Sequence, residues 1–136
     1  NLHEKAGSSN VLHLHGELTK VCSTVNEAHV ISWEGDQHLD DRDPQGYPMR
    51  PFIVWFGEAV PMIETAVSII AHADVVLVVG TSMQVYPAAS LIQFIPDHCE
   101  VFVIDPNLDQ NFVAADHFLK TSATDGMRKL IEILLK

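Results

Sequence analysis

Cysteine is scarce and unpatterned in this chain: Cys22 and Cys99 are the only two among 136 residues, and no CxxC pair occurs. That excludes a disulfide framework and a cysteine metal cluster, and isolated thiols of this kind suit a reducing, intracellular compartment. Basic residues are also few. Eight Lys and Arg face eighteen Asp and Glu, for a net charge of −10, which argues against a nucleic-acid partner bound through counterion release. No apolar run approaches the length of a membrane span and no basic-then-apolar leader stands at the start, so no membrane association is expected and the chain reads as soluble and cytoplasmic. The seven glycines contain no Gly-x-Gly spacing, so the usual backbone cradle for a dinucleotide pyrophosphate is missing. What is present is an ordinary globular composition, 47% hydrophobic, enough for one core.

Apolar patterning supplies the architecture. Residues 2–6 followed by Gly7 read as the last turn of a helix with its C-terminal glycine, so the chain is expected to start in mid-element. Residues 11–14 alternate as a short half-buried strand, and residues 19–22 and 29–33 read as two more, followed by polar sequence to about Pro48. The acidic stretch Glu34, Asp36, Asp40, Asp41 and Asp43, opposed only by Arg42, reads as a solvated loop. Beyond it, residues 61–72 have helical spacing, with Met62, Ala66, Ile69, Ile70 and Ala73 apolar. The strand 75–79, a helix over 87–95, the strand 101–104, a short strand at 118–120 and an amphipathic helix over 124–135 complete the alternation. Wholly apolar strands alternating with helices predict an α/β fold, a parallel Rossmann-like sheet covered on both faces. The domain reading is 1–18 with 50–136 as a partial Rossmann-like domain and 19–49 as a small inserted module.

Four segments carry candidate chemistry. Val11-Leu12-His13-Leu14-His15-Gly16 runs a histidine into a glycine turn, which makes His15 either a general base, with an imidazole suited to neutral pH, or a satisfied strand-edge histidine. Gly80-Thr81-Ser82 follows an apolar strand and precedes a helix, a place where a parallel sheet binds ligands and also where an ordinary capped turn occurs. Asp105 and Asn107 end the next strand. The run Arg50-Pro51-Phe52-Ile53-Val54-Trp55-Phe56-Gly57-Glu58 reads on its own as core-forming strand aromatics.

In this order and spacing, and together with Asn1-Leu2-His3 to Ala6-Gly7-Ser8, these segments resemble the sirtuin family of NAD-dependent protein-lysine deacylases, in its bacterial type. The resemblance covers nearly the whole chain and implies the carboxyl-terminal portion of that fold. It further implies that a Thr-Gln-Asn-x-Asp motif and the glycine-rich NAD loop, the amino-terminal half of the same fold, would lie upstream. By analogy, Gly80, Thr81 and Ser82 would line an NAD pocket, and Asp105, where the family usually has asparagine, would stand with Asn107 near the adenosine ribose. Ala123 and Thr124 would lie near the adenine, or serve simply as the cap of the last helix. Val54, Phe56, Gly57 and Glu58, with Val85 and Tyr86, would grip an acyl-lysine peptide as an added strand, Val54 and Phe56 walling the acyl tunnel. His15 would be the catalytic base. NAD would be consumed as a co-substrate.

Most members also hold a zinc between two pairs of cysteines. Here Cys22 matches the first position alone, and His29 and His38 do not supply a regular ligand spacing, so no zinc is expected. A competing reading is a non-catalytic nucleotide or acyl-peptide binding module, distinguished by whether a glycine-rich loop and an Asn/Asp pair precede Asn1. An unrelated α/β nucleotide-binding domain is the third.

Overall fold

Where the chain pairs its strands decides where its loops can carry chemistry. The computed structural model describes residues 1–109, 111 and 113–135, and the chain divides into two compact units, Asn1–Met62 and Ile63–Lys136.

The first unit opens with one helical turn, α1 (Leu2–Lys5), ended by Gly7 at φ 95°, as the glycine position predicts. The expected strand over residues 11–14 is absent: that segment is irregular, and the strand begins at the glycine instead, as β1 (Gly16–Ser23). Alternation cannot make a strand without a hydrogen-bonded neighbour, and pairing starts only at Gly16, opposite Ile53. β1 pairs antiparallel with β2 (Val30–Ser32) on one side and β3 (Met49–Ile53) on the other. A bulge between Glu17 and Val21 breaks the second register and leaves Leu18 exposed. Gly16 is required where it stands: at φ 85°, any Cβ would run into the Phe52 carbonyl oxygen across the pair.

Polar groups lie at the centre of this unit. Ser23 is fully buried and Asp43 nearly so, which corrects the reading of the acidic stretch as wholly solvated. Asp43 Oδ1 accepts the Gln45 and Tyr47 N–H groups, both at 2.9 Å, and its own N–H donates to the Tyr47 carbonyl at 2.9 Å. Desolvation pushes this carboxyl up, but the Tyr47 N–H, the Ser23 hydroxyl, the Gln45 N–H and His29 together outweigh it, leaving it below its ordinary value.

In the second unit, α2 (Ile63–Ile70) leads to β4 (Val75–Val79). The helix expected over 87–95 is a 3-10 segment, Ala88–Phe94. Pro96 forces Ile95 into extended backbone, ψ 127°, and so ends the helix before regular α-helical bonding can propagate. Then come β5 (Glu100–Ile104), β6 (His117–Leu119) and α3 (Ala123–Leu134). The three strands are parallel in the order β4-β5-β6, the α/β arrangement that the apolar strands predict.

β5 is covered on both faces. Val101 and Val103 pack with Ala89, Leu108 and Val113 on one side, while Phe102 and Ile104 meet Leu130 of α3 on the other. α3 approaches so closely that a Cβ on Gly126 would overlap the Ile104 side chain. β4 departs from the expectation of two covered faces. Val75, Leu77 and Val79 are 49%, 38% and 37% exposed, and only Val76 and Val78 join the core. The strand has β5 on one edge and no partner on the other among the described residues, and three of its five apolar side chains face solvent.

Candidate active site

In the first unit, the structure brings His15 and Val54 together. His15 lies in the turn just before β1, with an exposed side chain. Its carbonyl accepts the Val54 N–H at 3.0 Å, and the Gly16 N–H turns back to the His13 carbonyl at 3.3 Å. The ends of β1 and β3 therefore fix the backbone of the candidate base beside the first candidate substrate residue. An exposed imidazole on a fixed backbone can exchange a proton with a ligand, as a general base must.

The loop after β3 is held by charge. Arg50 donates to Glu58 through both terminal nitrogens, at 2.7 and 2.8 Å, and to the Ile53 carbonyl at 2.7 Å, while Glu58 also accepts the Trp55 N–H at 2.9 Å. These Arg50 hydrogen bonds, then the Trp55 N–H, bring the Glu58 carboxyl down to about 2. Gly57, at φ 90°, makes the turn that closes the loop. The loop so fixed displays Phe56, 96% exposed, and Trp55, 54% exposed. Core-forming aromatics are thereby excluded at these two positions. Next to the loop lies a cavity of about 770 Å³, whose lining includes His13, Gly16, Phe52, Val54 and Glu58; His15 and Phe56 are not among its lining residues.

Cys22 also borders this cavity. Burial pushes its thiol above the ordinary value, which opposes the thiolate a metal would need. Cys22 and Cys99 are free and buried, and among the described residues no cluster of three His, Cys, Asp or Glu has metal-holding geometry.

In the second unit the predicted NAD residues divide. Ser82, Asp105 and Asn107 converge on a cavity of about 420 Å³ at the carboxyl ends of β4 and β5, completed by Gln84, Leu108 and Asp109. Asp105 is 8% exposed, and its Oδ1 accepts the N–H groups of Asn107 and Leu108, both at 2.7 Å. This is an Asx turn that bends the chain out of β5. Gly80, at φ 61°, ends β4 with its N–H bonded to the Ile104 carbonyl at 3.0 Å, and Thr81 accepts the Met83 N–H at 3.2 Å. Neither lines the cavity. Ala123 and Thr124 begin α3, whose cap is Ser122, accepting the Asp125 N–H at 3.3 Å; they too lie outside it. Val85 and Tyr86 are exposed, 47% and 70%, just ahead of the 3-10 segment.

Hydroxyl, amide and carboxylate acceptors around a space of this size fit a ribose. No Gly-x-Gly loop for a pyrophosphate accompanies it among the described residues.

Sequence reasoning missed the anchoring role of Arg50, the cavity residues Gln84 and Asp109, and the hydrogen bond of His13 to Glu4. Gln84 and Asp109 had a usable signal, since both lie in loops leaving strand ends. The other two depend on pairings that no local pattern encodes.

Comparison with known proteins bears on both units. The model of the Sir2 family matches residues 1–87, a span that holds the histidine turn, the Arg50–Glu58 loop and Gly80-Thr81-Ser82. The chain belongs to the Sir2 family. It is 52% identical over 82% of its length to an NAD-dependent protein deacylase of Aggregatibacter actinomycetemcomitans, covering 54% of that protein. It is 44% identical over 99% of its length to an NAD-dependent protein deacylase of Bacteroides thetaiotaomicron, covering 61% of it. Among solved structures, a Sir2 homologue in complex with NAD matches 98% of the chain at a TM-score of 0.85 and 35% identity, with 54% of that structure covered. A Sir2 homologue in complex with 2′-O-acetyl ADP ribose matches at 0.84 and 34% identity, with 55% covered. The chain thus spans little more than half the length of its relatives.

Proposed function

We propose that this chain carries the carboxyl-terminal portion of an NAD-dependent protein-lysine deacylase and that His15 is its general base. The observation that carries the reading is the His15–Val54 juncture: an exposed imidazole whose backbone is bonded to the start of an exposed apolar loop, within a segment of Sir2 sequence. The curated relatives named as deacylases support the reaction class.

In the proposed reaction the carbonyl oxygen of an acyl-lysine amide attacks the ribose carbon that bears nicotinamide, and nicotinamide leaves. His15 then takes the proton of a ribose hydroxyl, which attacks the acyl carbon; the lysine amine departs with a proton, and a water molecule adds to the cyclic acyl cation left on the ribose, so that the acyl group stays on one ribose oxygen and the other is released as a hydroxyl. Val54, Phe56, Gly57, Glu58, Val85 and Tyr86 are proposed to hold the peptide. Phe56 presents its ring to solvent on a loop that Arg50 and Glu58 keep in place, which suits an apolar contact to substrate. Gly80, Thr81, Ser82, Asp105, Asn107, Ala123 and Thr124 are proposed for NAD.

Residues 19–49 are read as an inserted module in a domain otherwise formed by 1–18 and 50–136. That domain is proposed to be completed by an upstream half carrying the pyrophosphate loop, for which the open edge and face of β4 are a suitable boundary. Two free thiols suit the cytoplasm. No helix among the described residues is long and apolar enough to cross a membrane.

The test compares the 136-residue chain with the full-length protein, by calorimetry with NAD and by turnover of an acetyl-lysine peptide. The full-length protein is expected to bind and turn over, and this chain alone to bind NAD weakly or not at all. Micromolar binding with robust turnover by the 136 residues would remove the need for an upstream half. A full-length protein that binds NAD without turnover would remove the catalytic role.

A further inference from the structure

We infer that His13 is a positioning residue for His15: its imidazole ties the turn that carries the proposed base to α1 and to the start of β1, and so fixes the direction of the His15 ring. The inference rests on the proposed role of His15 as general base and deepens it.

The turn needs such a tie. Residues 11–15 form no strand, so no ladder of hydrogen bonds holds them. The backbone supplies the Val54 N–H on the His15 carbonyl at 3.0 Å and the Gly16 N–H on the His13 carbonyl at 3.3 Å. The His15 side chain itself is exposed, and an exposed ring takes its direction from the backbone beneath it.

His13 faces a carboxylate from each neighbouring element. Its Nε2 bonds Glu4 Oε1 on α1 and lies 3.7 Å from Glu17 Oε1 on β1, while Glu17 Oε2 accepts the Lys20 ammonium at 2.6 Å. The Glu4 carboxyl is held below its ordinary value, first by its own backbone N–H and then by His13. Near neutral pH it is therefore a carboxylate, which only accepts, and the proton in the bond sits on Nε2. Charge-assisted bonds of this kind are short and strong. The contacts run Glu4–His13–Glu17–Lys20, crossing from α1 to β1 beside the proposed base. A reacting group has to be held to within about 0.5 Å of its productive place, and the backbone on either side of His15 is held to that end by Val54 on one flank and His13 on the other.

The test uses the full-length protein and steady-state turnover of an acetyl-lysine peptide at saturating NAD. His13→Ala is expected to lower kcat on the order of tenfold and to leave the peptide KM within about twofold, because the loop after β3 is held separately by Arg50 and Glu58. His13→Gln places an amide donor near the position of Nε2 and is expected to recover most of the loss. Glu4→Ala, on a helical turn exposed throughout, is expected to match His13→Ala, and the double variant to lose no more than either single one, as a shared contact requires. An unchanged kcat in folded His13→Ala or in Glu4→Ala, fully additive losses, or a loss confined to KM would overturn the inference. Should His13→Ala fail to fold, Glu4→Ala and His13→Gln decide the matter by the same criteria. His15→Ala separates this failure from failure of the broader reading. An inactive His15→Ala protein beside an unaffected His13→Ala protein would dismiss the tie while the base stands, whereas a fully active His15→Ala protein would dismiss both.

Discussion

The two units of this chain reach order by different physical means. In the second, β5 is apolar from Val101 to Ile104 and buried on both faces there, with Phe102, Val103 and Ile104 at 1% exposure or less. Side chains of this kind each contribute about 1.5–3 kcal/mol by leaving water, with no directional requirement. In the first, the central strand turns inward at Val21, Cys22 and Ser23, and the loops around it are pinned by buried or charge-assisted polar groups, Asp43 and the Arg50–Glu58 pair. The contrast teaches where each half tolerates change. An apolar core relaxes only partly around a deleted side chain and loses stability through the cavity left behind, whereas a polar pin acts through a few bonds with fixed partners. It also explains why the proposed peptide loop can display Phe56 and Trp55 to solvent: its shape is set by Arg50 and Glu58 and does not depend on burying those rings.

The largest expected effect separates chemistry from stability. In the full-length protein, His15→Ala should lower kcat/KM for an acyl-lysine peptide by roughly 10²–10⁴-fold, with unfolding stability within about 0.5 kcal/mol of the parent because the side chain is exposed. Full activity in a folded His15→Ala protein would remove this histidine from the mechanism. Next comes the contrast within one sheet. Ile104→Ala should cost about 2–5 kcal/mol in denaturant unfolding. Leu77→Ala, on the half-wet face of β4, should cost under about 1 kcal/mol in the 136-residue chain. If an upstream portion covers β4, the Leu77 cost should rise in the full-length protein while the Ile104 cost stays put. Equal costs in the short chain would erase the difference between the two strands. Gly126→Ala, which forces a methyl into Ile104, should cost about 1–3 kcal/mol, read in the same experiment.

A smaller and more local effect distinguishes polar pinning from metal. Asp43→Ala should accelerate hydrogen exchange at the Gln45 and Tyr47 amides, whose acceptor it removes, while a chelator should leave exchange and the melting temperature unchanged. Stoichiometric zinc by elemental analysis, or unfolding on chelation, would replace this account with a metal-held module.

Much of the second unit was legible from sequence because its strands are apolar apart from Glu100 and His117 and its last helix carries a cap at Ser122. The first unit was less legible. Residues 11–14 alternate as a strand would, but strand formation depends on a partner, and the partner becomes available only at Gly16. Asp43 sat in a run of acidic residues that all looked solvated, and nothing local marks the one whose oxygens face Tyr47 and Ser23. Of the residues proposed for NAD, Ser82, Asp105 and Asn107 line one cavity, and the signal that singled them out is strand-end position in a parallel sheet. Glu58 was found for its place in a motif, while its bond to Arg50 joins residues eight apart in sequence and shows only once the loop is folded.

The finest test of the polar pins is acid titration of Glu58. Its folded value is about 2 against an ordinary 4.5, brought down first by its hydrogen bonds from Arg50 and then by the Trp55 N–H. A carboxyl lowered on folding stabilises the folded state fully above its unfolded value, and that contribution fades as pH falls toward the folded one. Unfolding measurements between pH 4.5 and 2 should therefore show stability decreasing with acid in the parent chain and a shallower decrease in Glu58→Gln. Some slope should survive in the variant, because Glu4 and Asp43 are also held below their ordinary values. The effect should be modest, since the pair is partly open to water and salt screens it. Raising the ionic strength should shrink the difference between parent and variant. Identical slopes at low salt would mean that the Arg50–Glu58 pair does not hold the loop, and that Phe56 is displayed by some other contact.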